Sequence, residues 1–259
     1  MKQKIGVVGV GALGSIVVKA LIDGIDGYDL IGVSDITPPA FDVPHMSTED
    51  LVEQCDIIVE CLPPAEAPAL AKLVLERNKT LILISSSALL LYPEIEEYIK
   101  TSESGRVIVP SGAISGLDAV TALKEGGMDS AKIMTTKPPK GLMGAPYVVE
   151  NGIDLNGLSE KKCIFSGNAY EAAKAFPANV NVAATLSYAS LGPKKTQVEV
   201  WADPNAQGNA HEIVVSGGSS TITSRVENLP DPSNPKSSML AGYSIVATLR
   251  KLSNDLSVI

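Results

Sequence analysis

Ile5-Gly6-Val7-Val8-Gly9-Val10-Gly11-Ala12-Leu13-Gly14 is the stretch that decides the fold. Residues 5–8 read as a buried strand, Gly9-Val10-Gly11-Ala12-Leu13-Gly14 as G-x-G-x-x-G, and residues 16–22 as a helical run. The chemistry of this order asks for glycine three times. Gly9 makes a tight turn, Gly11 lets backbone approach a pyrophosphate, and Gly14 lets the helix pack on the strand. Ala12 and Leu13 lie between them at the helix start, where free N–H groups and the positive dipole end favour phosphate.

The next strand, Tyr28-Asp29-Leu30-Ile31-Gly32-Val33-Ser34, ends at Asp35, about twenty residues past the fingerprint, where a ribose-binding acid is expected. A carboxylate accepts hydrogen bonds from both ribose hydroxyls and repels a 2′-phosphate. No Lys or Arg follows Asp35 before Lys72, so NAD is expected, with NADP possible.

The 259 residues are enough for two modest domains, and 45% hydrophobic with 19% charged residues is ordinary globular composition. The net charge of −8 argues against nucleic acid and anionic membrane as partners, because phosphate binding needs clustered Lys and Arg. Met1-Lys2-Gln3-Lys4 runs directly into the first strand, from which no signal or transit peptide is expected. The apolar run at 81–92 is interrupted by serines and too short to span a bilayer. Cys55, Cys61 and Cys163 share no metal-ligand spacing and cannot all pair, so a reducing cytoplasm and no metal are expected.

Taken in order, Thr37-Pro38-Pro39 is a loop and residues 47–52 a short capped helix. His45, between them, reads as a surface histidine. Residues 56–62 form a third strand stopped by Pro63-Pro64, and its carboxyl end should face a ligand crevice, which makes Cys61, Leu62 and Pro63 candidate cofactor walls. A helix at 65–77, a strand at 80–84, a helix at 90–100 and a strand at 106–109 continue the β/α alternation. Ser85-Ser86-Ser87 either touches a ligand or is a solvated loop.

Beyond Ser111 the pattern changes. Strands are expected at 131–137, 162–165, 196–202 and 212–215, the last forming a hairpin with 219–226, and helices at 117–124, 170–176 and 182–190. The proline-rich connector 229–235 precedes a closing helix with Ser237-Ser238 as a cap and an apolar stripe of Leu240, Tyr243, Val246, Leu249 and Leu252. The fold class is therefore α/β: an N-terminal Rossmann dinucleotide-binding domain (1–110), an α+β substrate and dimerisation domain with a mostly antiparallel sheet (111–235), and a C-terminal helix (236–259) packing on the first domain or on a dimer partner.

His211 is one of two histidines and sits where a glycine-containing loop enters a strand. By itself it reads equally as a structural histidine or as an acid/base with an ordinary pKa near 6.5. Lys137 and Lys140 flank Pro138-Pro139 and are the best local cations for an acidic substrate, a solvated lysine pair being the alternative.

Several motifs resemble the L-aspartate dehydrogenases: Pro110-Ser111-Gly112-Ala113-Ile114-Ser115-Gly116-Leu117-Asp118, Thr135-Thr136-Lys137-Pro138-Pro139, Phe176-Pro177-Ala178-Asn179-Val180-Asn181-Val182-Ala183-Ala184, Gly208-Asn209-Ala210-His211-Glu212-Ile213, and residues 234–240. The resemblance implies reversible NAD(P)-dependent oxidation of L-aspartate to iminosuccinate, which hydrolyses to oxaloacetate and ammonia, a link to NAD biosynthesis, and a homodimer. It makes His211 the acid/base and places Ala113 and one asparagine, Asn181 rather than Asn179, at the nicotinamide. Lys137, by inference from its charge and place rather than as a role the resemblance carries, is expected to contact the substrate, together with Asn179. Two other readings share the fingerprint: a two-domain reductase or dehydrogenase of another small acid or semialdehyde, and a non-catalytic NAD-binding regulator, which would need no base at position 211.

Overall fold

The computed structural model describes residues 2–38, 40–229 and 238–258. The chain folds as two units, Met1–Pro110 with Met239–Ile259, and Ser111–Ser238. In the first, β1 (Gln3–Val8), α1 (Ala12–Asp23), β2 (Tyr28–Ser34), α2 (Thr48–Gln54), β3 (Ile57–Glu60), α3 (Ala67–Leu75), β4 (Thr80–Leu83), α4 (Ala88–Leu91), α5 (Glu94–Thr101) and β5 (Arg106–Ile108) follow in order. All pairings are parallel, in the order β2-β1-β3-β4-β5, a Rossmann sheet. β1 is apolar on both faces because both are covered. Ile5 and Val7 join a core cluster with Val17, Val18 and Leu21 of α1, whereas a Cβ at Gly6 would lie 2.7 Å from Leu51 Cγ of α2.

Two helices differ from the sequence reading. The helix expected at 90–100 is broken into α4 and α5 by Pro93, whose missing N–H and ring prevent continuation. The helix expected from residue 65 opens as a 3-10 turn, Pro64–Glu66, before α3. α2 is capped as read, the Ser47 hydroxyl accepting from Asp50 N–H.

The second unit contains α6 (Leu117–Glu125), β6 (Met128–Lys137), α7 (Pro146–Glu150), β7 (Lys162–Asn168), α8 (Ala169–Ala175), α9 (Asn181–Ala189), β8 (Gln197–Ala202), β9 (Ala210–Gly217) and β10 (Thr221–Glu227). Its sheet runs β10-β9-β6-β8-β7. The pairings are antiparallel except for the central β6–β8 pair, so the sheet is mixed. α7 carries too short a pattern to be read from sequence. Its Tyr147 meets Phe165 and Phe176 at centroid distances of 5.3 and 5.7 Å, and this aromatic cluster anchors the Phe176-Pro177 turn leading into α9.

The connector 230–235 and Ser237 lie outside the described residues, as does Pro39 of the Thr37-Pro38-Pro39 loop. Ser238 donates to Asn228 Oδ1 at 2.5 Å. The closing helix, α10 (Met239–Ser253), belongs to the first unit and packs on α1. Its packed face shares only Val246 and Leu249 with the stripe read from sequence. Gly242, Ile245 and Leu249 are buried, while Leu240, Tyr243 and Leu252 are 39%, 50% and 43% exposed. The reason is close approach: a Cβ at Gly242 would stand 2.8 Å from Ile16 Cδ1, so the helices meet over a glycine that hydrophobicity alone does not flag. Among the described residues no helix is long and apolar enough to cross a membrane.

Candidate active site

The chemistry-bearing residues fall into two sets, one in each unit. In the first, β1 delivers the chain into Gly9, whose φ is +87° and whose Cβ, were there one, would meet the Cys61 carbonyl oxygen at 2.5 Å. A Cβ at Gly14 would lie 1.9 Å from the Gly9 carbonyl oxygen. A Cβ at Gly11 would meet nothing within 4 Å, so the backbone there borders open space. Ala12 and Leu13 begin α1, which has no side-chain cap and no acid in its first turn, so its leading N–H groups face no competing anion of that helix. These features fit a dinucleotide pyrophosphate.

Asp35 is tied to the same loop. Its Oδ2 accepts from Val10 N–H at 2.5 Å, and its Oδ1 from Thr37 N–H at 3.1 Å and the Thr37 hydroxyl at 3.3 Å. Partial burial pulls its pKa up, but those hydrogen bonds outweigh it and hold the carboxyl below the ordinary aspartate value. It is therefore an anion at neutral pH. His45 is exposed, its Nε2 donating to the Asp35 carbonyl at 3.0 Å, as a surface histidine should. Cys61 N–H donates to Val8 O, and Cys61 and Leu62 are half-buried with Pro63 exposed beside the glycine loop. Ser85, Ser86 and Ser87 are buried, which removes the solvated-loop alternative.

The second set is on one face of the mixed sheet. Strand alternation puts Ile133, Thr135 and Lys137 of β6 on the same side, all buried. His211 of β9 is paired in register with Thr135, and its Nδ1 lies 3.1 Å from the Thr135 hydroxyl. Burial, with the Lys137 charge nearby, drives the imidazole pKa down to about 3, so the ring is neutral at ordinary pH. The sequence-based expectation of an imidazole near its ordinary pKa is corrected by that burial. Among the described residues Nε2 makes no hydrogen bond, which leaves it for a ligand.

Lys137 donates to Asn179 Oδ1 at 2.8 Å, and among the described residues no carboxylate lies within ion-pair distance of it. Burial lowers its pKa to about 8. Lys140 is exposed in the 3-10 turn Pro139–Gly141, so the two lysines are not an equivalent pair. Ala113 is buried in a turn whose Gly112 has φ +67°, and a Cβ there would sit 3.8 Å from Val182 of α9, the helix that Asn181 opens. Sequence reasoning missed Thr135 and Glu60. Thr135 was recoverable from its two-residue offset to Lys137, and Glu60 as the one charge inside a buried Ile/Val strand.

A Rossmann unit with an anionic acid following β2, and a second unit presenting a buried cation and a neutral imidazole, fit a pyridine-nucleotide-dependent dehydrogenase. The family model described as aspartate dehydrogenase, C-terminal, matches residues 118–252. The L-aspartate dehydrogenase 3 of Bordetella bronchiseptica is 39% identical, covering 98% of this chain and 96% of its own length. The L-aspartate dehydrogenase of Methanosarcina acetivorans is 38% identical, covering 98% of each. The crystal structure of aspartate dehydrogenase from Thermotoga maritima superposes with a TM-score of 0.76 at 28% identity over 100% of both chains. The chain belongs to the L-aspartate dehydrogenase family.

Proposed function

We propose that the protein oxidises L-aspartate to iminosuccinate, reversibly, with NAD as hydride acceptor, and that the imine hydrolyses to oxaloacetate and ammonia. The observation that carries this reading is Lys137: a buried ammonium whose partner among the described residues is a neutral amide is costly to keep, and a substrate carboxylate would offset that cost. Lys137 and Asn179 hold the acid, and His211 Nε2 takes a proton from the substrate ammonium. Thr135 fixes the ring through Nδ1. A bound nicotinamide would supply the acceptor for the hydride that leaves the α-carbon. Ala113 and Asn181 are assigned to its neighbourhood, and Gly9, Gly11, Ala12, Leu13, Gly14, Cys61, Leu62 and Pro63 to the rest of the dinucleotide.

Electrostatics links the two steps. Burial is the larger cause of the depressed proton affinity of His211 and the Lys137 charge the smaller, and a substrate carboxylate paired with Lys137 relieves the smaller one. The imidazole of the substrate complex therefore takes a proton more readily than that of the free enzyme. Mixing protein, NAD and a panel of L-amino acids, small hydroxy acids and semialdehydes, and following NADH absorbance, tests the reading. Turnover with aspartate is expected. Turnover only with another acid or semialdehyde favours the alternative enzyme, and none at all, with NADH bound, favours a regulator.

NAD is expected to exceed NADP in kcat/KM, because the Asp35 anion repels a 2′-phosphate and its partners are backbone and hydroxyl groups alone. A preference for NADP sinks that assignment. A homodimer is expected, so light scattering should return twice 27.0 kDa, and a mass of 27.0 kDa at micromolar concentration counts against it. The three cysteines are unpaired, which suits the cytoplasmic location we assign, and the iminosuccinate product suits a role in NAD biosynthesis.

A further inference from the structure

Glu60, at the end of β3, is fully buried and among the described residues forms no ion pair, yet its carboxyl is saturated with backbone donors. Oε1 accepts from Leu62 N–H at 2.6 Å, and Oε2 from Ile84 N–H at 3.1 Å and Ser85 N–H at 3.0 Å. The Ser85 hydroxyl returns the contact by donating to the Leu62 carbonyl at 2.6 Å. Three of these hydrogen bonds tie the end of β3 and its turn to the turn after β4, and the fourth, from Leu62 N–H, closes the first turn on Glu60 itself. The tied segment includes Cys61, whose carbonyl oxygen occupies the place of a Gly9 side chain. A buried carboxyl is an expensive way to join two turns unless the join must be rigid. Burial pushes its pKa up to about 7 against the opposing pull of those donors.

We propose that Glu60 and Ser85 form a latch that positions the backbone of Cys61, Leu62 and Pro63 as the wall supporting the nicotinamide half of the dinucleotide. Both are positioning residues, because they act through that backbone. The inference rests on the dinucleotide reading above. Its location follows from the rule that ligands of open α/β sheets bind beyond the carboxyl ends of the strands, where both turns lie. Glu60→Gln keeps the shape but replaces one acceptor oxygen by a donor NH₂ facing N–H groups.

Calorimetric titration of the wild type and of Glu60→Gln with NADH and with ADP-ribose, which lacks the nicotinamide, tests the latch. The wild type should bind both. In the variant NADH should bind about tenfold more weakly, the order expected for misplaced positioning groups, while ADP-ribose changes by no more than about twofold. Equal loss of both ligands, or no loss of either, overturns the latch and leaves dinucleotide binding intact. A wild type that binds neither ligand overturns the dinucleotide reading and the latch with it. Should Glu60→Gln not fold, Ser85→Ala removes the hydroxyl that donates to the Leu62 carbonyl and also reaches the Glu60 carboxyl. It should weaken NADH binding about threefold more than ADP-ribose, and an unchanged ratio overturns the proposal.

Discussion

His211→Ala lowers kcat for aspartate oxidation by about two to four orders of magnitude, the range spanned by general acid–base catalysis. NADH affinity stays within about twofold, because the fingerprint glycines and Asp35 belong to the first unit and are untouched. The free imidazole is already neutral above about pH 3, so kcat/KM should show no acid limb from it near the ordinary histidine value. An acid limb belonging to His211 should instead appear in kcat, where bound substrate neutralises Lys137, and it should vanish in the variant. A variant that loses thermal stability while keeping kcat within a few-fold of wild type would reduce His211 to a structural residue held by Thr135.

Lys137→Met raises the KM for aspartate and lowers kcat/KM by about two to three orders of magnitude, as loss of a desolvated charge contact to a ligand does. The thermal midpoint should hold or rise, since a buried ammonium without a carboxylate partner is replaced by an apolar chain of similar length. The pH dependence has a definite sign. Only the protonated ammonium attracts a carboxylate, so wild-type kcat/KM should fall as pH rises through about 8, the value to which burial lowers Lys137. A variant with unchanged KM, or one whose lost activity tracks a lower thermal midpoint, removes Lys137 from substrate binding.

The local chain chemistry of the first unit was legible. Gly9, Gly11 and Gly14 are required by backbone contacts that leave no room for a side chain or must leave room for a ligand, and Asp35 ends a strand whose limits the residue pattern gives directly. Such signals are local in sequence, and composition cannot hide them. Helix ends were less legible where proline or a 3-10 turn intervened, as at Pro93 and Pro64.

The sequence by itself determined a Rossmann unit followed by an α+β unit, and it singled out Asp35, His211, Lys137 and Asn179 as candidate site residues. Tertiary structure decided their states. Strand register between β6 and β9, 76 residues apart at Thr135 and His211, creates the contact that fixes the ring, and the burial of that sheet face sets both pKa values. Packing likewise turned α10 onto Gly242 rather than onto its Leu240 and Tyr243 stripe, because close approach favours the smallest side chain over the most apolar. The carboxyl of Glu60 is one more such case: Leu62 is its neighbour in the chain, but Ile84 and Ser85 reach it only through the parallel pairing of β3 with β4.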